Sequence, residues 1–146
     1  MRKAVLLGAV ALLATAGLAR AADMPSAVEI RKIGMGLEGS VLFLFQTALN
    51  TKVDVKTLEH PATAMLLWAK TVPRLFPKGS ETGDGTNAKP DIWSDSDGFA
   101  KAAAREADEV GKLVALTKAG DADAVAVQLK AVVAACSACH NAYKAK

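Results

Sequence analysis

DADAVAVQLKAVVAACSACHNAY, residues 121–143, sets Val125, Leu129, Val132, Cys136, Cys139 and Tyr143 at alternating spacings of four and three. That rhythm matches the 3.6-residue helical period and puts all six side chains on one helix face. Asp121 stands where an N-cap belongs, just after Ala119-Gly120, a pair suited to ending the helix before it. Working back from this segment, three more stretches carry the same period. Residues 96–118 hold Ala103, Ala107, Val110, Val114 and Thr117 in register. Residues 54–71 hold Val55, Leu58, Ala62, Met65 and Ala69, with Val72 just beyond. Pro61 falls inside that pattern, so the helix either kinks there or starts its regular part nearby, and Pro73 and Pro77 close it. Residues 26–49 open on Ser26, with Glu29 three residues later to complete a capping box. This stretch shows two apolar stripes, Ile30, Ile33, Leu37 and Leu44 on one, Met35, Leu42 and Leu49 on the other. Residues 78–96, rich in Gly, Asp, Ser, Thr and Asn, read as one long loop. No segment alternates with period two, so strands are not expected. The sequence predicts an all-α fold, an antiparallel up-down-up-down four-helix bundle.

The N-terminal residues predict the compartment. Arg2 and Lys3 precede an uncharged apolar run over residues 4–18, and Ala19-Arg20-Ala21 fits a small-x-small cleavage signal. This is the layout of a secretory signal peptide over residues 1–21, cut after 21 or 22 and too short to span a bilayer. The expected location is the periplasm, with residues 22–146 forming one domain. No later stretch is expected to be apolar and long enough for a membrane span. The chain has 18 Lys+Arg and 15 Asp+Glu; Arg2, Lys3 and Arg20 depart with the leader, leaving fifteen of each sign. That balance gives no electrostatic case for nucleic acid as a partner.

The chain has two cysteines, three residues apart. A disulfide is the default use of a cysteine pair in an exported protein, but this one would close a tiny loop and add little stability. A thioredoxin-type redox pair needs a strand-helix-strand context that is missing. A zinc site needs four ligands, and beyond the two thiols only His140, His60 or a carboxylate is at hand. Cys136-Ser137-Ala138-Cys139-His140 fits a different chemistry, the attachment signature for c-type haem. Two thiols at this spacing add across the two vinyl groups of one porphyrin, and the following imidazole is offered to its iron. One covalent haem c per chain, anchored at Cys136 and Cys139 with His140 as proximal axial ligand, is expected.

The motif lies on the last predicted helix, a few residues from the C-terminus. There, and along essentially the whole mature chain, the sequence resembles class II c-type cytochromes, the cytochrome c-prime family. The resemblance rests on Arg31 early in the first helix, on Pro90-Asp91-Ile92-Trp93 before the third, and on Cys136-Ser137-Ala138-Cys139-His140-Asn141-Ala142-Tyr143. It implies a four-helix bundle, usually bacterial and periplasmic and often dimeric, with Arg31 meeting a haem propionate and Trp93 lining the haem pocket. One departure stands out. The family usually carries arginine four residues after the haem histidine, and here Lys144 keeps the charge but loses the planar fork.

What sits opposite His140 decides function, because an open sixth position admits small gases and a second strong ligand suits electron transfer. In an up-down bundle the first and fourth helices are antiparallel neighbours. Met35 lies about nine residues into the first, roughly 14 Å from its end, and His140 roughly 6–9 Å from the opposite end of the fourth. The remaining offset, on the order of 5–8 Å, is within side-chain reach and haem tilt. Gly34, Gly36 and Gly39 flank Met35 inside a helix, each at about 1 kcal/mol against alanine, which suggests a large flat group close to the backbone. The resemblance implies the same: a low-spin branch of the family carries methionine four residues after the arginine and ligates iron through its sulfur, whereas high-spin members have an apolar non-ligand there. The sequence therefore reads as a low-spin monohaem cytochrome with His140 and Met35 as axial ligands, passing single electrons between redox partner proteins, and not as an enzyme. The alternative is a five-coordinate protein that binds nitric oxide or carbon monoxide, with Met35 only shielding the iron. A haem peroxidase or nitric oxide reductase is disfavoured, since no distal histidine or acid-base pair stands out. The two stripes of the first helix further suggest a homodimer through residues such as Val41 and Phe45 and the adjacent second helix.

Overall fold

Ser26 opens the first bundle helix with the predicted reciprocal cap: its hydroxyl accepts from the Glu29 N–H at 3.2 Å, and the Glu29 carboxylate accepts from the Ser26 N–H at 2.7 Å. The computed structural model describes residues 25–83 and 85–146; the expected leader lies outside them. Helix α1 runs Ala27–Thr51 and stops at Lys52, which takes the left-handed conformation. A 3-10 turn, Val55–Leu58, leads into α2, Glu59–Thr71. Pro61 thus sits in the first turn of α2, where its missing N–H has no partner to lose, and no kink is needed. A second 3-10 turn, Val72–Leu75, ends this arm. After an irregular connection and one helical turn, Asp91–Ser94, helix α3 spans Ser96–Ala119. Asp95 caps it by accepting from the Gly98 N–H at 3.1 Å. Gly120, at φ 81°, turns the chain into α4, Ala122–Tyr143, which Asp121 caps through the Ala124 N–H at 2.9 Å. Among the described residues there is no strand, only an isolated bridge between Ala88 and Lys144. The architecture is the four-helix bundle that the periodicities predict.

All six residues of the expected α2 stripe, from Val55 to Val72, are buried. Val55, Leu58, Ala62 and Met65 meet Phe45, Val110, Leu113, Val125 and Val132 in the main core. A smaller cluster of Val72, Ile92 and Phe99 closes the end that holds the C-terminus of α4. Helix α3 packs closely on both α2 and α4, while α1 stands further from its neighbours. That looser fit leaves room between α1 and the α3–α4 pair.

Two expectations need correction. The α1 stripe of Ile30, Ile33, Leu37 and Leu44 faces outward, with Ile33 59 % and Leu37 64 % exposed. The buried face is instead Val28, Arg31, Gly34, Glu38, Phe45 and Ala48. Its polar members are tolerated inside because other elements bring them hydrogen-bond partners. Helix α4 also proves long and apolar enough, by length and composition, to cross a membrane. In this fold Val125, Leu129, Val132 and Ala135 of α4 are buried in the bundle.

Candidate haem site

A cavity of about 500 Å³ opens between α1 and the α3–α4 pair, within the size range of small-molecule sites. Cys136, Cys139 and His140 line it from α4, Met35 from α1, Phe99 from α3 and Phe76 from the connection after α2. The motif end of α4 is latched in place. Lys89 caps its last turns, donating from Nζ to the carbonyls of Asn141 at 2.9 Å and Ala142 at 3.0 Å. Its backbone N–H reaches the Tyr143 carbonyl at 2.9 Å, and the Ala145 N–H reaches that of Asn87 at 2.7 Å. Tyr143 donates its hydroxyl to Asp95 at 2.9 Å and sets its ring edge-on to Phe99. The loop and α3 therefore fix the turn that presents His140.

Both cysteines are free and half-buried. Burial, reinforced by the charge of Glu106, pushes the Cys136 thiol up to about 12 and the Cys139 thiol up to about 11. They stand as two protonated thiols on one cavity wall. Partial burial holds His140 below its ordinary value, the positive charge of Lys144 adds to this, and Glu106 opposes it. The neutral imidazole, the form that can bind a metal, is thereby favoured.

Arg31 reaches the cavity in a way the sequence did not suggest. It is only 5 % exposed. One terminal nitrogen donates to the Leu75 carbonyl at 3.0 Å and the Ser80 hydroxyl at 2.8 Å; the other donates to the Ser80 carbonyl at 3.0 Å and the Thr86 hydroxyl at 3.2 Å. The guanidinium lies 4.4 Å from the centre of the Phe76 ring. None of these partners is a carboxylate, so the buried positive charge on the wall remains uncompensated by the chain itself.

Met35 is half-buried on the cavity wall, packed against the Val72–Ile92–Phe99 cluster. Trp93 does not line the cavity, contrary to expectation. Its indole N–H donates to the Phe76 carbonyl at 3.0 Å, and Phe76, edge-on to it, takes the place on the wall. The glycines of α1 divide likewise. A Cβ on Gly34 would collide with the Trp68 ring, whereas one on Gly36 or Gly39 would meet nothing within 4 Å. Gly34 makes room for an indole of α2, and only Gly36 borders the cavity.

Sequence reasoning missed an acid pair. Glu38 of α1 and Glu106 of α3 are 7 % and 5 % exposed, and both line the cavity. The Trp68 indole N–H donates to one Glu38 oxygen at 3.1 Å, while its other oxygen, buried, has no partner. The Cys136 thiol donates to Glu106 at 3.7 Å. Burial and the neighbouring Glu106 push the Glu38 carboxyl up to about 8. One signal was available: Glu106 shares the spacing of Phe99, Ala103, Val110 and Leu113, one residue off the α3 stripe read from the sequence.

Residues 26–144 match the protein-family model described as Cytochrome C'. The cytochrome c' of Rhodospirillum rubrum is 31 % identical, with 99 % of each chain covered. The crystal structure of cytochrome c' from Rubrivivax gelatinosus superposes with a TM-score of 0.73 at 30 % identity, covering 81 % of this chain and 94 % of the other. A nitric oxide complex of a variant of cytochrome c prime from Alcaligenes xylosoxidans gives a TM-score of 0.74 at 28 % identity, covering 82 % and 94 %.

Proposed function

The chain belongs to the cytochrome c' family of haem proteins, and on that premise we propose that it holds one covalent haem c and binds nitric oxide or carbon monoxide opposite His140. The observation that carries the haem assignment is the cavity wall of α4, where two free thiols and a neutral imidazole face one apolar space. The residues fit the group. Cys136 and Cys139 would anchor it, Met35, Phe76 and Phe99 would contact its faces or edges, and His140 would hold the iron. Arg31 supplies an unpaired buried cation suited to a propionate. Bound there, haem supplies an iron at which a diatomic gas can coordinate or through which one electron can pass. The chain's part is to favour the neutral imidazole and to shape the space around the group. Gas binding is favoured over electron transfer by the nitric oxide complex formed by the Alcaligenes relative's variant. Export to the periplasm through residues 1–21 belongs to the same reading.

Met35 supports a second reading. Lining from α1 the cavity that His140 lines from α4, its thioether could ligate the iron. The protein would then be low-spin and pass single electrons between redox partner proteins. One experiment separates the two. Gas binding predicts a high-spin ferric spectrum and rapid carbon monoxide binding once reduced, both retained in Met35→Leu. Ligation by Met35 predicts a low-spin wild type that Met35→Leu converts to a high-spin, gas-binding form. A wild type that is low-spin, and remains so in Met35→Leu, rules out both.

A further inference from the structure

Glu38 and Glu106 approach each other from opposite walls of the cavity with almost no compensation. Among the described residues, the salt bridge is Lys112–Glu109, away from this pair. The pair receives one indole N–H from Trp68 and one weak thiol donor from Cys136, and one buried Glu38 oxygen has no partner. Attachment of haem through Cys136 turns that thiol into a thioether, so Glu106 loses its S–H donor when the site is filled. Burial and the neighbouring Glu106 oppose ionisation of Glu38, and a proton on Glu38 can supply the missing hydrogen bond.

Resting on the haem assignment above, we propose that the Glu38–Glu106 pair is a proton-binding site coupled to electron uptake at the haem. An external one-electron donor is oxidised as the iron is reduced. One proton passes from solvent water to a carboxylate oxygen of the pair, forming an O–H bond there. The added electron and added proton leave the net charge of the cavity unchanged. The driving force is electrostatic: an electron placed beside a buried anion raises the cost of that anion, and protonation removes it. The effect is reciprocal, so the proton favours reduction by the same factor by which reduction favours the proton. The site is well placed for this, since the Glu38 carboxyl lies near about 8 instead of its usual 4.5.

The other groups around the pair are accounted for. Trp68 faces it from α2 and does not titrate. Cys136, Cys139 and His140 face it from α4 and are taken up by haem anchoring and ligation. Arg31, Lys32 and Lys144 line the cavity but form no ion pair with it. Haem propionates are the rival proton acceptors.

The test is potentiometry of the haem-loaded protein across and above about pH 8, where Glu38 gives up its proton, together with reduced-minus-oxidised infrared difference spectra. The wild-type potential should fall as pH rises, by up to about 59 mV per tenfold drop in proton activity. Reduction should add a protonated-carboxyl stretch. The Glu38→Gln, Glu106→Gln double variant should flatten the slope and abolish that stretch. A pH-independent wild-type potential, or no new carboxyl stretch in wild type, overturns the proposal without any variant. So does a slope that persists in the double variant, which puts the proton on a propionate. Haem staining and the Soret band establish the cofactor separately, so loss of coupling in a haem-loaded protein counts against the proton site alone.

Discussion

Single residues on α1 carry consequences that depend on where the fold puts them. Glu38 is held protonated in the folded chain well above the pH at which it ionises unfolded. Below 4.5 both states hold the proton, so no difference arises. Between 4.5 and about 8 the folded state keeps a proton that the unfolded state has lost, and stability falls as pH rises; above that the loss levels off. Glu38→Gln keeps an oxygen for the Trp68 N–H and removes the titration. Urea unfolding of the haem protein across this range should show a steeper decline for wild type than for the variant, and equal slopes would count against a buried acid. Gly34 sits against the Trp68 ring. Gly34→Ala would raise helix propensity at an exposed site, but here it forces the indole to move and should cost about 1–3 kcal/mol. Gly39→Ala, with open space around it, should be neutral or stabilising by about 1 kcal/mol. Thermal unfolding distinguishes the two.

At the level of elements, Arg31 of α1 gives the connection from α2 to α3 a set of hydrogen bonds. Arg31 gathers Leu75, Ser80 and Thr86, and Phe76 completes the grip with its ring. Lysine at this position keeps the charge but has neither the planar fork nor its paired donors. Arg31→Lys should leave buried acceptors unpaired and destabilise by about 1–3 kcal/mol. Its signature is local: amide hydrogen exchange should accelerate around residues 80–90 while α3 and α4 stay protected. Uniform acceleration would mean that Arg31 supports the whole bundle instead. The same connection secures the end of α4 through Lys89 and Asn87, so the loop sets the position of His140 without contributing the haem motif.

For the whole molecule, assembly depends on which face of α1 meets solvent. Phe45 is fully buried and cannot serve the dimer contact expected from the sequence. Helix α1 instead turns Ile33, Leu37 and Leu44 to solvent along one stripe, and a homodimer through that stripe is the proposed assembly. Sedimentation at micromolar concentration should give a dimer for wild type and a monomer for Leu37→Glu; a monomeric wild type would sink the idea. Covalent attachment is checked at the same scale. Haem should stay with the polypeptide through acid-acetone extraction and denaturing electrophoresis, and Cys136→Ala with Cys139→Ala should release it.

By itself the sequence determined the helices, their caps and the haem motif, because each depends on residues within a few turns of one another. Ser26 with Glu29, Asp121 after Gly120, and the α2 stripe from Val55 to Val72 all act locally, and the fold keeps them as read. Only the tertiary structure decided the inner face of α1. Hydrophobicity pointed to Ile33 and Leu37, yet Arg31, Gly34 and Glu38 are buried. The reason is physical. A polar side chain goes inside when distant elements supply its partners, and those partners, Ser80, Thr86 and Trp68, lie at least 30 residues away in the chain. The haem motif was legible in five consecutive residues; the acid pair beside it existed only once α1 and α3 faced each other across the cavity.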